Sequence, residues 1–367
     1  MTFSANDHKA MSRAFELAKQ GLTTTTPNPR VGCVIVRDGA VVGEGWHRRA
    51  GEPHAEVLAL AQAGETARGA TVYVTLEPCS HFGRTPPCAD ALIAASPARV
   101  VAAMKDPNPK IAGRGLEKLR AAGIAVECGL LANEAHELNI GFVSRMTRNR
   151  PWLRLKVAAT LDGKTALENG VSQWITGEAA RADGHLWRAR ACAILTGIGT
   201  VMADDSQLTV RAVPCERQPL RILLDPALEV LPNARILQGN PALVVTAANA
   251  ASDRAQQLAA SGHRILSLPA PDNRIHLPAL LRELAALELN EIHVEAGATL
   301  NGALLATGCV DELLLYLAPI AVGNTARGMF NCPALTTLDA AAKFKIQECV
   351  KVGEDLRVVM RAVATHQ

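Results

Sequence analysis

The chain has 367 residues, 49% of them apolar and 20% charged, with a formal net charge of +3. That length suggests about two domains, and the composition is that of an ordinary globular protein. The small charge excludes a whole-protein field that would gather nucleic acid. Nine scattered cysteines argue against a disulfide framework and for reduced thiols in a cytoplasmic protein. The first residues lack a basic region followed by an apolar run, so no signal peptide is expected. No apolar run reaches the roughly 18 residues of a membrane span.

Residues 7–20 read as a helix. Met11, Ala14, Phe15 and Ala18 share a face, Asp7 serves as cap, and Gly21 as stop. Two prolines stiffen the loop around Asn28. Residues 31–36 and 40–45 form a hairpin about Asp38-Gly39. A helix is expected over 54–63, a strand over 71–76, a helix over 88–95 and a strand over 99–104. A helix over 116–122, a strand over 124–127 and one helix over 133–147 follow. Strands alternating with helices imply an α/β layer arrangement.

His54-Ala55-Glu56 and Glu77-Pro78-Cys79, with Cys88, carry the chemistry of this half. Zinc nucleobase deaminases use His-x-Glu followed by Pro-Cys-x-x-Cys. Three protein ligands leave a fourth position for water, whose pKa the metal lowers. Glu56, two residues after His54, is off the ligand face and suits proton transfer rather than coordination. The competing reading is structural: a lone Cys is usually a small buried hydrophobe. A closed structural zinc site needs a fourth ligand, which His81 would have to supply. The nearby Glu and the Pro-Cys pair favour catalysis. Eight residues separate Cys79 from Cys88, where nucleic-acid deaminases have two.

These motifs resemble the deaminase half of the bifunctional riboflavin-biosynthesis deaminase–reductase family. The matching stretches are Thr26-Pro27-Asn28-Pro29-Arg30-Val31-Gly32-Cys33-Val34, Gly51-Glu52-Pro53-His54-Ala55-Glu56 and Thr75-Leu76-Glu77-Pro78-Cys79-Ser80-His81-Phe82-Gly83-Arg84-Thr85-Pro86-Pro87-Cys88. Asp106-Pro107-Asn108-Pro109 and Gly113-Arg114-Gly115 complete the match. The resemblance implies a cytidine-deaminase-like three-layer α/β fold and a phosphorylated diaminopyrimidine substrate. His54, Cys79 and Cys88 would hold Zn2+, and Glu56 would be the catalytic proton carrier. Asn28, His47, Arg84 and Asn108 would contact substrate.

A domain boundary is expected near residues 146–150, where arginines and Pro151 break the pattern, giving domains 1–147 and 148–367. Without interleaved aromatics, the arginines read as a solvated connector. In the second half, strands are expected at 152–158, 193–196, 220–224, 243–246, 264–268, 291–294, 312–317, 345–350 and 356–362. Helices are expected at 177–190, 252–260, 278–286 and 300–306. The last two strands, with no helix between them, imply an antiparallel edge on a mixed sheet. No Gly-x-Gly-x-x-Gly fingerprint occurs. Gly197-Ile198-Gly199-Thr200 and Glu295-Ala296-Gly297 each follow a strand, and either alone reads as a tight turn. Together they admit phosphate at a helix start.

Leu155-Lys156-Val157-Ala158-Ala159-Thr160-Leu161-Asp162-Gly163-Lys164 resembles the reductase half of the same family. So do Ser172-Gln173-Trp174-Ile175-Thr176, Asp204-Asp205, Leu208-Thr209-Val210-Arg211 and Glu295-Ala296-Gly297. The resemblance implies a dihydrofolate-reductase-like domain that uses NADPH. Cofactor contacts are implied at Ala158, Trp174, Thr200, Asp204, Gly297, Ala298, Thr299, Leu300, Asn301, Gly302 and Ala303. Substrate contacts are implied at Lys156, Ser172, Arg188, Leu208, Arg211 and Glu295. Arg188 and Arg211 suit a ribose phosphate, and Lys156, Asp204 and Glu295 suit proton exchange at the sugar. Asp225-Pro226 departs from the family pattern near the cofactor's adenosine end.

The expectation is therefore a two-domain enzyme that deaminates 2,5-diamino-6-(5-phosphoribosylamino)pyrimidin-4-one. It then reduces the ribosyl chain of the product to ribityl. Its partners would be small phosphorylated pyrimidines and copies of itself in a homo-oligomer, not nucleic acid or a membrane. A nucleic-acid base deaminase with an appended binding domain would need a basic groove and the short cysteine spacing. A zinc-stabilised binding module would survive loss of Glu56.

Overall fold

The computed structural model describes residues 3–82, 86–270 and 272–363. The chain divides into two compact units, Met1–Asn149 and Arg150–Gln367.

The first unit holds α1 (Ala5–Lys19), β1 (Gly32–Arg37), β2 (Ala40–Trp46), α2 (Ala55–Ala63), β3 (Thr71–Val74), α3 (Cys88–Ala95) and β4 (Arg99–Ala102). It continues through α4 (Arg114–Ala121), β5 (Ala125–Cys128), α5 (Ala132–Leu138) and α6 (Ile140–Arg148). The sheet order is β2-β1-β3-β4-β5. β1 runs antiparallel to β2 and β3, while β3, β4 and β5 are mutually parallel. Alternate strand residues feed opposite faces. Cys33, Ile35, Val72, Val74 and Val100 pack on Ala55, Ala59, Leu92 and Leu116. Val34, Tyr73 and Val101 pack on Met11, Ala14, Phe15, Ala135 and Leu138. The result is a three-layer α/β unit, as expected.

Two local readings are corrected. Ser4, not Asp7, caps α1: the Asp7 amide donates to the Ser4 hydroxyl, and the Asp7 carboxylate reciprocates as a capping box. The single helix expected over 133–147 is two, broken at Asn139. That buried side chain accepts from the Arg30 amide (2.8 Å) and donates to the Arg30 carbonyl (2.9 Å). A tie to a loop 109 residues away outweighs helical continuity.

The second unit contains β6 (Trp152–Thr160), β7 (Lys164–Ala166), α7 (Glu178–Arg190), β8 (Ala193–Gly197), α8 (Ile198–Asp204), β9 (Leu220–Leu224), β10 (Leu243–Thr246) and α9 (Asp253–Ala260). β11 (Arg264–Ser267), α10 (Leu277–Ala286), β12 (Glu291–Glu295) and α11 (Ala298–Ala306) follow. β13 (Glu312–Ala318), β14 (Arg327–Gly328), β15 (Phe344–Val352) and β16 (Asp355–Ala362) complete it. A nine-stranded sheet has the order β11-β10-β9-β8-β12-β6-β13-β16-β15. Its strands are parallel as far as β13, and β16 and β15 add the antiparallel edge expected from sequence. Short β7 and β14 pair separately. α8 was not expected from its glycine-rich sequence; tertiary context overrides weak propensity there.

One face of the central strands is polar. Arg154 and Lys156 on β6 and Glu291, His293 and Glu295 on β12 alternate onto it, with Glu295 in register with Lys156. At its base, buried Arg154 pairs with Glu291 and Glu312, and its guanidinium lies 4.5 Å from the centroid of the Trp187 ring of α7. Among the described residues, no helix is long and apolar enough to cross a membrane.

Candidate active sites

In the first unit the chain brings His54, Cys79 and Cys88 together, with their donor atoms within 4.8 Å of one another. His54 is the extended N-cap of α2, Cys79 follows β3, and Cys88 opens α3. His54 Nδ1 lies 3.1 Å from Cys88 Sγ and 3.6 Å from Cys79 Sγ. The Cys88 amide donates to Cys79 Sγ at 3.2 Å. Hydrogen bonding from Cys88, with His54 adding, brings the Cys79 thiol down to about 4 against the opposing effect of burial. The same contact pushes Cys88 up.

Glu56, in the first turn of α2, is only 3% exposed. Burial, with Cys79 adding, pushes its carboxyl up to about 7. Behind the triad, His47 meets His54 edge to face at 5.1 Å. His47 Nδ1 lies 3.2 Å from the Pro53 carbonyl, and Nε2 lies 3.0 Å from Asn28 Nδ2. A carbonyl only accepts, so Nδ1 carries the proton and Nε2 accepts from Asn28. Asn28 and His47 are thus joined directly. Asn108 is half-buried on the loop after β4. Arg84 lies outside the described residues.

In the second unit, Glu295 ends β12 beside Lys156, whose Nζ lies 3.9 Å from Oε2. Arg188 of α7 forks both Glu295 oxygens, with Nη2 at 2.8 Å from Oε2 and Nε on Oε1, and donates to Thr209 O. The Arg188 guanidinium is therefore engaged by a carboxylate, where a phosphate had been expected. Arg188, Lys156 and His293 hold the Glu295 carboxyl well below the usual carboxylate range despite its burial. Burial pushes Lys156 down. The Arg211 amide donates to His185 Nδ1 at 3.2 Å, and burial together with Arg188 and Arg211 pushes His185 down to about 4. Burial and the neighbouring Arg188 and Arg235 cations push the Arg211 guanidinium down. Leu208 turns its side chain into the core, with a left-handed backbone (φ 52°). Ser172 is half-buried.

α8 and α11 start after the neighbouring strands β8 and β12, and the Gly297 amide donates to Thr200 Oγ1 at 3.0 Å. Helix starts at the carboxyl ends of adjacent strands are where α/β sheets bind ligands. Gly297 is the N-cap of α11, followed by Ala298 and Thr299. Leu300 packs on the core, and Asn301 donates to Met329 O. A Cβ at Gly302 would lie 2.1 Å from Asn331 O. Ala303 is exposed, Ala158 is half-buried, and Asp204 is exposed at the end of α8. Trp174 is exposed, with Arg181 stacked at 4.6 Å. Asp225 is fully buried and accepts from the Glu229 and Val230 amides, so it anchors its own turn.

Residues 151–358 match the RibD C-terminal domain family, and residues 4–104 match the cytidine and deoxycytidylate deaminase zinc-binding region. The riboflavin biosynthesis protein RibD of Escherichia coli (strain K12) is 50% identical over 362 residues, 95% of this chain and 98% of its own. The chain belongs to the RibD family. RibD of Acinetobacter baumannii superposes with a TM-score of 0.90 at 44% identity, covering 98% of this chain and 99% of that one. A Thermotoga maritima diaminohydroxyphosphoribosylaminopyrimidine deaminase/5-amino-6-(5-phosphoribosylamino)uracil reductase does so at 0.86 and 33% identity, with the same coverage. As a RibD protein, this chain is a bifunctional riboflavin-biosynthesis enzyme with a deaminase half and a reductase half.

Both cofactors of such an enzyme, Zn2+ and NADPH, fit the residues present. Tetrahedral zinc with bonds of about 2.3 Å to sulfur and about 2.0 Å to nitrogen needs N···S separations of about 3.5 Å, and 3.1 and 3.6 Å straddle that value. For NADPH, the α11 start offers backbone amides beside a residue without a side chain, and the buried Asn301 Oδ1 lacks a partner among the described residues.

Sequence reasoning missed Glu77. Its buried carboxylate accepts from the amides of Asp106, Gly113, Gly115 and Leu116. The only sequence signal was a carboxylate in the motif together with the closely spaced Gly113 and Gly115.

Proposed function

We propose that the first half deaminates 2,5-diamino-6-(5-phosphoribosylamino)pyrimidin-4-one hydrolytically. The second half then reduces the ribosyl chain of 5-amino-6-(5-phosphoribosylamino)uracil to ribityl. The observation that carries the reading is the convergence of His54, Cys79 and Cys88 at the helix start that also bears the buried Glu56.

His54, Cys79 and Cys88 would hold the metal. When bound, zinc supplies the Lewis acidity that brings a water pKa toward neutrality. Glu56 carries one proton of the attacking water to the ring nitrogen and then the second, from the new hydroxyl, to the amino group, so that the carbonyl forms as ammonia leaves. Asn28 and His47, fixed on each other, bind the pyrimidine edge with Asn108, and Arg84 takes an oxygen of the substrate.

In the reductase half, the start of α11, Ala158, Trp174, Thr200 and Asp204 hold the cofactor, which supplies the reducing equivalents. Arg188 fixes Glu295, and Glu295 with Lys156 orients the sugar and manages its proton. Ser172 and the Leu208 backbone line the substrate. Arg211, among like charges that raise its need for an anion, takes the phosphate. A homo-oligomer in the cytoplasm completes the reading, and sedimentation of the purified protein tests the assembly.

The deciding experiment supplies the diaminopyrimidine phosphate and NADPH and follows ammonia and NADPH absorbance separately. A chelator or Cys79→Ser should stop ammonia release, while reduction of pre-deaminated substrate continues. Loss of both activities in a folded protein overturns the two-site reading.

A further inference from the structure

Glu77 is 5% exposed, and among the described residues its partners are amides rather than cations. Oε2 accepts from Asp106 N (3.0 Å) and Gly113 N (2.8 Å), and Oε1 accepts from Gly115 N (2.8 Å) and Leu116 N (3.4 Å). Three of these amides belong to the N-cap and first turn of α4, whose amides have no partner within the helix. The fourth begins the loop that leads into it. The helix start lies close against the turn that carries Glu77: a Cβ at Gly115 would lie 2.0 Å from Pro78 O.

Between these anchors the loop is folded on itself. Asp106 Oδ1 accepts from Asn108 N at 2.8 Å, and Asn108 Oδ1 accepts from Lys110 N at 3.1 Å. The Asn108 carbonyl accepts from the Ile111 and Ala112 amides. With Oδ1 committed to Lys110, the NH2 end of Asn108 is the end the loop offers a ligand. Glu77 stands two residues before Cys79, so the same turn that delivers a metal ligand also holds both ends of this loop.

We propose that Glu77 is a positioning residue of the deaminase: it clamps the 106–116 segment so that Asn108 meets the pyrimidine at the metal end of the pocket. The proposal rests on the reading of Asn108 as a substrate contact given above. Only a carboxylate serves. It offers two accepting oxygens, whereas a glutamine of the same shape turns an NH2 group toward two amide donors.

The test uses the full-length, zinc-loaded protein. Glu77→Gln should raise the deaminase KM about tenfold with kcat within about twofold, the signature of lost positioning. Zinc content and reductase activity should stay at wild-type levels. In an Asn108→Ala background, Glu77→Gln should change KM by less than about twofold, since the two act as one unit. Additive KM effects, an unchanged KM in the single variant, or zinc loss overturn the proposal. Asn108→Ala with wild-type KM would sink the reading of Asn108 itself, a result distinct from additivity. Should Glu77→Gln not fold, hydrogen exchange in the wild type decides. The Asp106, Gly113 and Gly115 amides should be protected like those of β3, and fast exchange there refutes the clamp.

Discussion

Arg188 grips both carboxylate oxygens of Glu295 across the gap between α7 and the end of β12. A planar guanidinium makes two parallel bonds; an ammonium makes a point contact. Arg188→Lys therefore keeps the charge and loses the orientation. Reductase kcat should fall about 10- to 100-fold, with ammonia release unchanged. NADPH oxidation on pre-deaminated substrate measures it, and full activity in this variant would show that the fork is dispensable.

Glu56→Gln keeps the shape and burial of the side chain but removes its proton chemistry. Ammonia release should drop about 10²- to 10⁴-fold. Metal analysis should still find zinc, because Glu56 is not one of the three converging ligands. A variant that loses zinc along with activity would make Glu56 a structural part of the site.

Asp7 anchors α1 to the sheet, since its carboxylate meets Arg99 Nη1 and the Tyr73 hydroxyl, each at 2.6 Å. Burial raises its pKa, but Arg99, Tyr73 and Ser4 outweigh that and hold it well below the usual carboxylate range. A depressed folded-state pKa gives stability that is complete above the unfolded value, about pH 4, and is lost as pH falls below it. At pH 7, Asp7→Asn should cost the first unit about 2–3 kcal/mol. The gap to wild type should narrow between pH 4 and pH 2. A gap that stays constant in urea titrations across that range would contradict this account.

Gly302 lies where α11 touches the segment around Asn331, and the Asn331 amide donates to Ala298 O at 2.9 Å. A methyl there forces the helix start away, because the clash is with backbone. Gly302→Ala should lower stability by about 1–3 kcal/mol and raise the KM for NADPH several-fold, leaving the deaminase KM alone. Wild-type NADPH kinetics would show that α11 has room to shift.

Much of the architecture was legible because its signals are local. The β-branched run Val34-Ile35-Val36 and the Asp38-Gly39 turn specify a hairpin without outside help. His54, Cys79 and Cys88 were legible because few other reasons put those residue types at that spacing. What sequence could not show were side chains whose partners are far along the chain. Asn139 ends a helix because of Arg30, and Glu77 matters because of amides near 113. Arg188 reads as a phosphate ligand until Glu295, 107 residues on, is seen to occupy it. α8 was hidden because its seven residues contain a glycine and three β-branched side chains. Sheet order, too, depends on pairings that no local pattern encodes.

The three candidate metal donors sit at the start of α2, the exit of β3 and the start of α3. Joining them ties together residues up to 34 positions apart along the chain. Metal that binds the folded arrangement and not the open chain adds its binding free energy to folding. The deaminase half thus has a nutritional dependence, and among the described residues no second cluster of this kind occurs. When zinc is scarce, it should be the first part of the polypeptide to become a protease substrate, while the reductase half keeps its own melting transition.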